Sequence, residues 1–313
     1  MTPVNILVVR LSAMGDIVHT LPAVATLRES FPGARIVWAV KPRWAVLLRG
    51  NPYVDEVVET EWPRWRLGQF DLAVDFQGLL KSAVVARLAG ARRVAGFADP
   101  RETPAKWFYT LRAAVSARHV VERNLELAQA AGATRRRMEF PLPDFPPEGD
   151  LPEGEFVLAS PLAGWRGKQW PAEYYTKLAA LVRERFGWPL VVNCAPAERA
   201  EVAAIAGCRA NVTSVAGLIG VTRRARAVVG LDSGPMHLAA ALAKPGVALF
   251  GPTDPERNGP WGDSFAVLRA PQAVTTYRRD NIISESMRAL APEQVFAALE
   301  RQVAKIPVLE TQR

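Results

Sequence analysis

Short apolar runs and amphipathic stretches alternate along the chain. In the first half, the runs at 6–10, 35–40, 56–59, 71–75 and 93–97 read as strands. The stretches 18–31, 43–50, 78–88 and 120–131 carry the helical spacing. Strands alternating with helices predict a parallel, doubly wound α/β sheet, because parallel neighbours need a crossover that a helix supplies. The stretch 141–154 breaks this alternation. Its five prolines (Pro141, Pro143, Pro146, Pro147, Pro152), with Gly149 and Gly154, suit neither a helix nor a central strand, so it reads as a linker. Beyond it the alternation restarts, with strands at 156–160, 190–194, 228–231, 247–250 and 266–268 and helices at 171–186, 198–206, 236–243 and 292–303. The chain therefore divides into two α/β domains, 1–150 and 151–313, with no internal sequence repeat.

Composition narrows the class. No run of about 18 apolar residues exists, so no membrane span is expected. Asn5, Arg10 and Asp16 interrupt any signal-peptide core, which points to the cytoplasm. Two cysteines, Cys194 and Cys208, make neither a disulfide framework nor a four-ligand zinc site. The three histidines (His19, His119, His237) stand at spacings unrelated to the cysteines, so no metal site is expected. The net charge of +8 calls for an acidic partner. The basic surplus is shared evenly, 20 Lys+Arg against 16 Asp+Glu in 1–150 and 19 against 15 beyond, so there is no basic arm. Without a nucleic-acid motif, nucleic acid is not expected. An anionic membrane surface touched peripherally, or an acidic lipid-linked sugar lying on it, fits the charge.

Four segments carry candidate chemistry. The run R-L-S-A-M-G-D-I-V-H-T-L-P (10–22) leaves the first strand and enters a helix, the ligand-binding edge of such a sheet. There Gly15 permits a tight turn and close approach of a ligand, and Asp16 is either the helix N-cap or a base. In G-W-R-G-K-Q-W-P (164–171), Lys168 is either a solvated side chain or a mobile charge that reaches a diphosphate. In L-D-S-G-P-M-H-L (231–238), Asp232 or Ser233 caps a helix whose N-terminus suits phosphate, Gly234 lets the chain turn, and His237 points from the first turn. F-G-P-T-D-P (250–255) ends a strand in a turn at the same edge. Arg64-Trp65-Arg66 and Arg118–Arg123 bring guanidinium forks that suit carboxylates and phosphates. No G-x-G-x-x-G follows the first strand of either half, and no P-loop is present, which argues against a dehydrogenase and an ATPase.

Taken in order, these segments resemble glycosyltransferase family 9, the ADP-heptose:lipopolysaccharide heptosyltransferases, and the M-G-D-I-V-H-T-L-P form is most similar to the heptosyltransferase I branch. The resemblance implies the GT-B fold, two Rossmann-like domains facing a central cleft, with a last helix free to pack back on the first domain. It implies an inverting, metal-independent transfer of heptose from ADP-heptose to the Kdo-lipid A inner core, with no cofactor. Asp16 would be the catalytic base. Donor contacts would come from Lys168, Asp232, Ser233, Gly234 and His237, with Thr253, Asp254 and Gly15 nearby. The acidic acceptor would meet Arg64, Arg66, His119 and Arg123 on the first domain. Ala163 and Gly164 depart from members that carry hydroxyl residues just before the lysine. Alternatives are another nucleotide sugar or core acceptor, as in heptosyltransferase II, or a non-catalytic nucleotide- or glycan-binding protein. A binding module needs no base, and the pairing of Asp16 with Lys168 argues against it.

Overall fold

A computed structural model describes residues 4–60 and 69–305. The chain divides into two compact units, Met1–Pro143 and Asp144–Arg313. The first runs β1 (Asn5–Val9), α1 (Met14–Val18), α2 (Leu21–Ser30), β2 (Arg35–Val40), α3 (Pro42–Ala45), β3 (Glu56–Glu59), β4 (Phe70–Asp75), α4 (Leu80–Leu88), β5 (Ala91–Phe97), β6 (Leu111–Ala113) and α5 (Val120–Ala130). The second runs β7 (Val157–Ser160), α6 (Ala172–Phe186), β8 (Leu190–Cys194), α7 (Arg199–Ala203), β9 (Arg209–Val212), α8 (Val215–Arg224), β10 (Ala227–Leu231), α9 (Gly234–Ala241), β11 (Gly246–Phe250), α10 (Pro255–Asn258), β12 (Phe265–Arg269), α11 (Glu285–Arg288) and α12 (Pro292–Ala304).

Each unit holds one six-stranded parallel sheet, in the orders β3-β2-β1-β4-β5-β6 and β9-β8-β7-β10-β11-β12. These are the same Rossmann order, written twice. The central strands read as unbroken apolar runs because helices cover both faces. Ile6, Leu7, Val8 and Val9 of β1 are fully buried, as is Val157 of β7. In each sheet the order reverses between the first and fourth strands, β1/β4 and β7/β10. A crevice at the carboxyl ends of those strands is where open α/β sheets bind ligands.

Several elements differ from the sequence expectation. The expected helix 18–31 is two helices, starting at Met14 and interrupted at His19–Thr20. Pro22 sits in the first turn of α2, where its missing amide costs nothing, and it cannot continue a helix from α1. The three-residue β6, β9 and α8 were not anticipated. The second part of the linker is not loose: Glu148 accepts from the Ser214 amide and hydroxyl, both at 2.8 Å, at the start of α8. Against that helix, a Cβ on Gly220 would stand 2.5 Å from the Phe145 carbonyl oxygen, so only glycine admits the linker so close. The last helix, α12, packs on α6 and over β10, β11 and β12. Val295, Ala298 and Leu299 are fully buried in that core, so the apolar face of α12 is part of the second unit's core.

Candidate active site

In the first unit, the chain leaves β1 through Arg10 and crosses the carboxyl edge beside the end of β4. The turn after β4 holds it there. The Gln77 side-chain oxygen accepts from the Leu11 amide at 2.7 Å and the Ser12 amide at 3.3 Å, and Arg10 donates to the Phe76 carbonyl. Arg10, itself buried, then reaches Asp16: Nη2 to Oδ1 is 2.7 Å. The other oxygen, Oδ2, accepts from the Ala13 amide at 3.2 Å. Asp16 is thus the third residue of α1, reaching back to its start, and Ala13 holds the N-cap position. Its side chain is 35 % exposed, enough to meet a substrate. Gly15, the second residue of α1, has no left-handed backbone, and neither has Gly234 at the start of α9. Their role in turns therefore falls away, and what they offer is the lack of a side chain.

Asp75, at the end of β4, is fully buried. It accepts from Tyr109 Oη at 2.6 Å, Ser82 Oγ at 2.9 Å and the Gln77 amide at 2.9 Å. Burial pushes its pKa up despite these donors. Burial and the neighbouring Asp75 carboxylate push the Tyr109 phenol up as well. This cluster fixes the turn that fixes the Asp16 loop.

The expected acceptor residues divide. Arg64 and Arg66 lie outside the described residues. His119 is the N-cap of α5, its Nδ1 accepting from the Val121 amide at 3.2 Å, with its ring edge-on to His19 at 5.9 Å. Arg123 bonds both oxygens of Asp99, at 3.1 and 3.0 Å, and lies over the Phe97 ring.

In the second unit, the loop after β7 ends at Lys168. Its Nζ bonds Asp232 twice, at 2.6 Å to Oδ2 and 3.1 Å to the main-chain oxygen. Trp170, two residues on, anchors this loop: it is buried, and its indole nitrogen donates to the Leu290 carbonyl at 2.8 Å. Asp232 leaves the end of β10, and His237 Nε2 stands 3.6 Å from its Oδ1, an ion-pair distance rather than a hydrogen bond. Burial alone would raise the Asp232 pKa, but His237 and Lys168 outweigh it and hold the carboxyl far below the usual range. Buried and already paired with Lys168, this carboxylate cannot itself meet phosphate. It aims the two groups that can.

Ser233 is the N-cap of α9 and makes no capping bond. Its hydroxyl is buried without a protein partner, as is that of Thr253 beyond β11. Pro235 has no amide hydrogen, and the Met236 and His237 amides already bond the Ser233 carbonyl at 3.2 and 3.4 Å. An anion at this terminus could therefore meet the Ser233 hydroxyl, the Gly234 amide, Lys168 and His237, but not a full ring of amides. Asp254 caps α10, accepting from the Glu256 amide at 3.0 Å.

Sequence reasoning left three contributors unassigned: Arg10, Gln77 and Asp75. Arg10 stands inside the 10–22 motif without a role there, and Asp75 and Gln77 stand at a strand end followed by Gly78, the usual place for a turn that carries function.

The family profile described as "Glycosyltransferase family 9 (heptosyltransferase)" matches residues 62–284, and the chain belongs to that family. It is a glycosyltransferase. Lipopolysaccharide heptosyltransferase 1 of Pseudomonas aeruginosa is 33 % identical over 298 residues, covering 83 % of this chain and 82 % of that protein. The protein of the same name from Escherichia coli K12 is 29 % identical over 327 residues, covering 91 % and 98 %. Among solved structures, E. coli heptosyltransferase WaaC with ADP superposes with a TM-score of 0.77 at 26 % identity, over 95 % of this chain and 99 % of that one. Two parallel six-stranded units and this likeness identify the GT-B fold.

Proposed function

We propose that this glycosyltransferase moves heptose from ADP-heptose to the Kdo-lipid A inner core of lipopolysaccharide, inverting the anomeric centre and using no metal. The observation that carries the reading is the Lys168–Asp232–His237 cluster beside the uncapped start of α9: two groups suited to a diphosphate, oriented by one buried carboxylate. The relatives support the donor and the acceptor. Two are named lipopolysaccharide heptosyltransferase 1, and WaaC has been solved with ADP and with ADP-2-deoxy-2-fluoro heptose.

Asp16 takes the proton of the acceptor hydroxyl as that oxygen attacks the anomeric carbon. The bond from that carbon to the diphosphate breaks, and ADP leaves with the electron pair. An aligned base contributes about 10²–10⁴-fold. Charge gathers on the leaving diphosphate, where Lys168, His237 and the Ser233 hydroxyl supply a few kcal/mol each. The excess of basic residues suits an acidic acceptor and peripheral contact with the cytoplasmic face of a membrane. Among the described residues no helix is long and apolar enough to cross one.

The test is transfer by the purified protein from ADP-heptose to Kdo-lipid A, read by mass spectrometry. A product one heptose heavier supports the reading. ADP binding without a product sends the search to other sugars or acceptors, and no ADP binding overturns the donor site. Transfer should persist in EDTA, and its complete loss on chelation would overturn the metal-free mechanism.

A further inference from the structure

The outer layer of the first unit has a composition that its core does not explain. Helix α4 and the 3-10 helix Thr103–Phe108 pack side by side over one face of the sheet, with Ala83, Ala86, Ala105 and Tyr109 inward. Outward they leave Trp107 70 % exposed and Leu80 40 % exposed. Leu80, Val84 and Arg87, spaced for one helical face, continue that surface. Residues 80–88 and 100–112 hold five cations (Lys81, Arg87, Arg101, Lys106, Arg112) and one carboxylate, Glu102, which is engaged by the Leu80 amide at 2.8 Å. Arg87, Arg101 and Arg112 are exposed and have no carboxylate partner among the described residues. Arg112 Nε donates to the Lys106 carbonyl at 3.0 Å, which keeps that cation close to Trp107. The other exposed apolar run, Val274, Tyr277 and Ile282, has Asp280 and Glu285 among its arginines and lacks this surplus.

We propose that the outer face of α4 and the 3-10 helix Thr103–Phe108 docks the protein on an anionic bilayer, with Trp107 at the headgroup boundary and Arg87, Arg101 and Arg112 on lipid phosphates. Tryptophan suits that depth because one end of the indole is apolar and the other donates a hydrogen bond. Long basic side chains lay their stems on apolar surface and keep their charge at the headgroups. The position fits a lipid-linked acceptor, and the inference rests on that reading. The start of α4 lies at the carboxyl edge of the sheet: the Gly78 carbonyl accepts from the Glu102 amide at 2.9 Å, and Ser82 Oγ bonds Asp75. Docking here keeps the edge that bears Asp16 near the headgroups from which the sugar projects.

The test is flotation of the full chain with phosphatidylcholine vesicles, with and without phosphatidylglycerol. The protein should float only with the anionic lipid. Trp107→Ser should lower partitioning about tenfold. The triple variant R87Q/R101Q/R112Q, at roughly fivefold per charge, should lower it on the order of a hundredfold. Both variants should transfer normally to a deacylated, water-soluble acceptor and poorly to one held in vesicles. Equal flotation of wild type and variants, or no flotation of wild type, overturns the proposal. A variant that loses transfer to the soluble acceptor and melts early also overturns it, because the face is then structural. Absence of transfer by wild type to either acceptor would instead strike the functional reading, while flotation still reports docking.

Discussion

Replacing Asp16 by Asn separates the structural role of this side chain from the catalytic role proposed for it. As a structural group, the carboxylate neutralises Arg10 through Oδ1 at 2.7 Å and satisfies the Ala13 amide through Oδ2 at 3.2 Å. Asn keeps one acceptor oxygen and loses the charge. A fully buried pair broken on one side costs 3–5 kcal/mol, but Asp16 is 35 % exposed and Arg10 retains the Phe76 carbonyl, so water screens most of the loss. About 1 kcal/mol remains, which lowers Tm by about 3 °C for a unit of this size. In the proposed role as base, the same carboxylate would supply about 10²–10⁴ in rate, or about 3–5 kcal/mol of barrier. Differential scanning calorimetry and continuous detection of released ADP measure the two losses on one preparation. The expected result is a small fall in Tm, a collapse of kcat, and a donor KM little changed. An unchanged kcat beside a lowered Tm would refute the reasoning, since Asp16 would then only close the α1 turn.

Lys168→Gln should weaken ADP binding about 10–100-fold by calorimetry, the worth of a hydrogen bond to a charged group; equal affinity would remove Lys168 from the donor site. Asp232 is ionised well below the unfolded carboxylate pKa of about 3.9, so its stabilisation is complete above that value and is lost only as pH falls through the lowered folded value. Melting temperature between pH 7 and about 5 should therefore be insensitive to this group, and a steep fall in that window traced to Asp232 by its Asn variant would contradict the cluster. Tyr109→Phe removes a 2.6 Å donor from buried Asp75 and should cost about 1.5–3 kcal/mol in urea unfolding; a neutral result would mean that Asp75 is not held by the phenol. Burial pushes Cys208 up to about 11 and raises Cys194 too, so a disulfide reagent at pH 8 should label neither thiol until the protein unfolds.

Local pattern made the alternating elements legible, because buried parallel strands are apolar runs and their crossovers are amphipathic. It failed where local rules compete. Residues 18–31 keep a helical spacing throughout, yet Pro22 starts a second helix there, and the amphipathic spacing alone cannot show that break. In α8, Gly217 and Gly220 lower helix propensity, and the helix is secured by Glu148 of the linker, 66 residues away from Ser214 in sequence. The same limit governs the site. Lys168, Asp232 and His237 were each readable within a motif, but Lys168 and Asp232 meet across 64 residues, and that contact turns Asp232 toward Lys168 and His237 rather than toward a ligand. Asp75 and Tyr109 stand 34 residues apart and belong to no shared pattern, so only the fold joins them.

The placement of α12 has a consequence for biogenesis. The strands of the first unit and the helices that cover them are contiguous in sequence, so that unit is complete once Pro143 has cleared the ribosome and can fold during synthesis. The second unit cannot do the same. Its sheet closes with β12, yet the layer that seals β10, β11 and β12 is supplied by residues 292–304. Until then Val247, Leu249 and Leu231 face solvent or a chaperone, and the second unit matures only after residues 292–304 have been made.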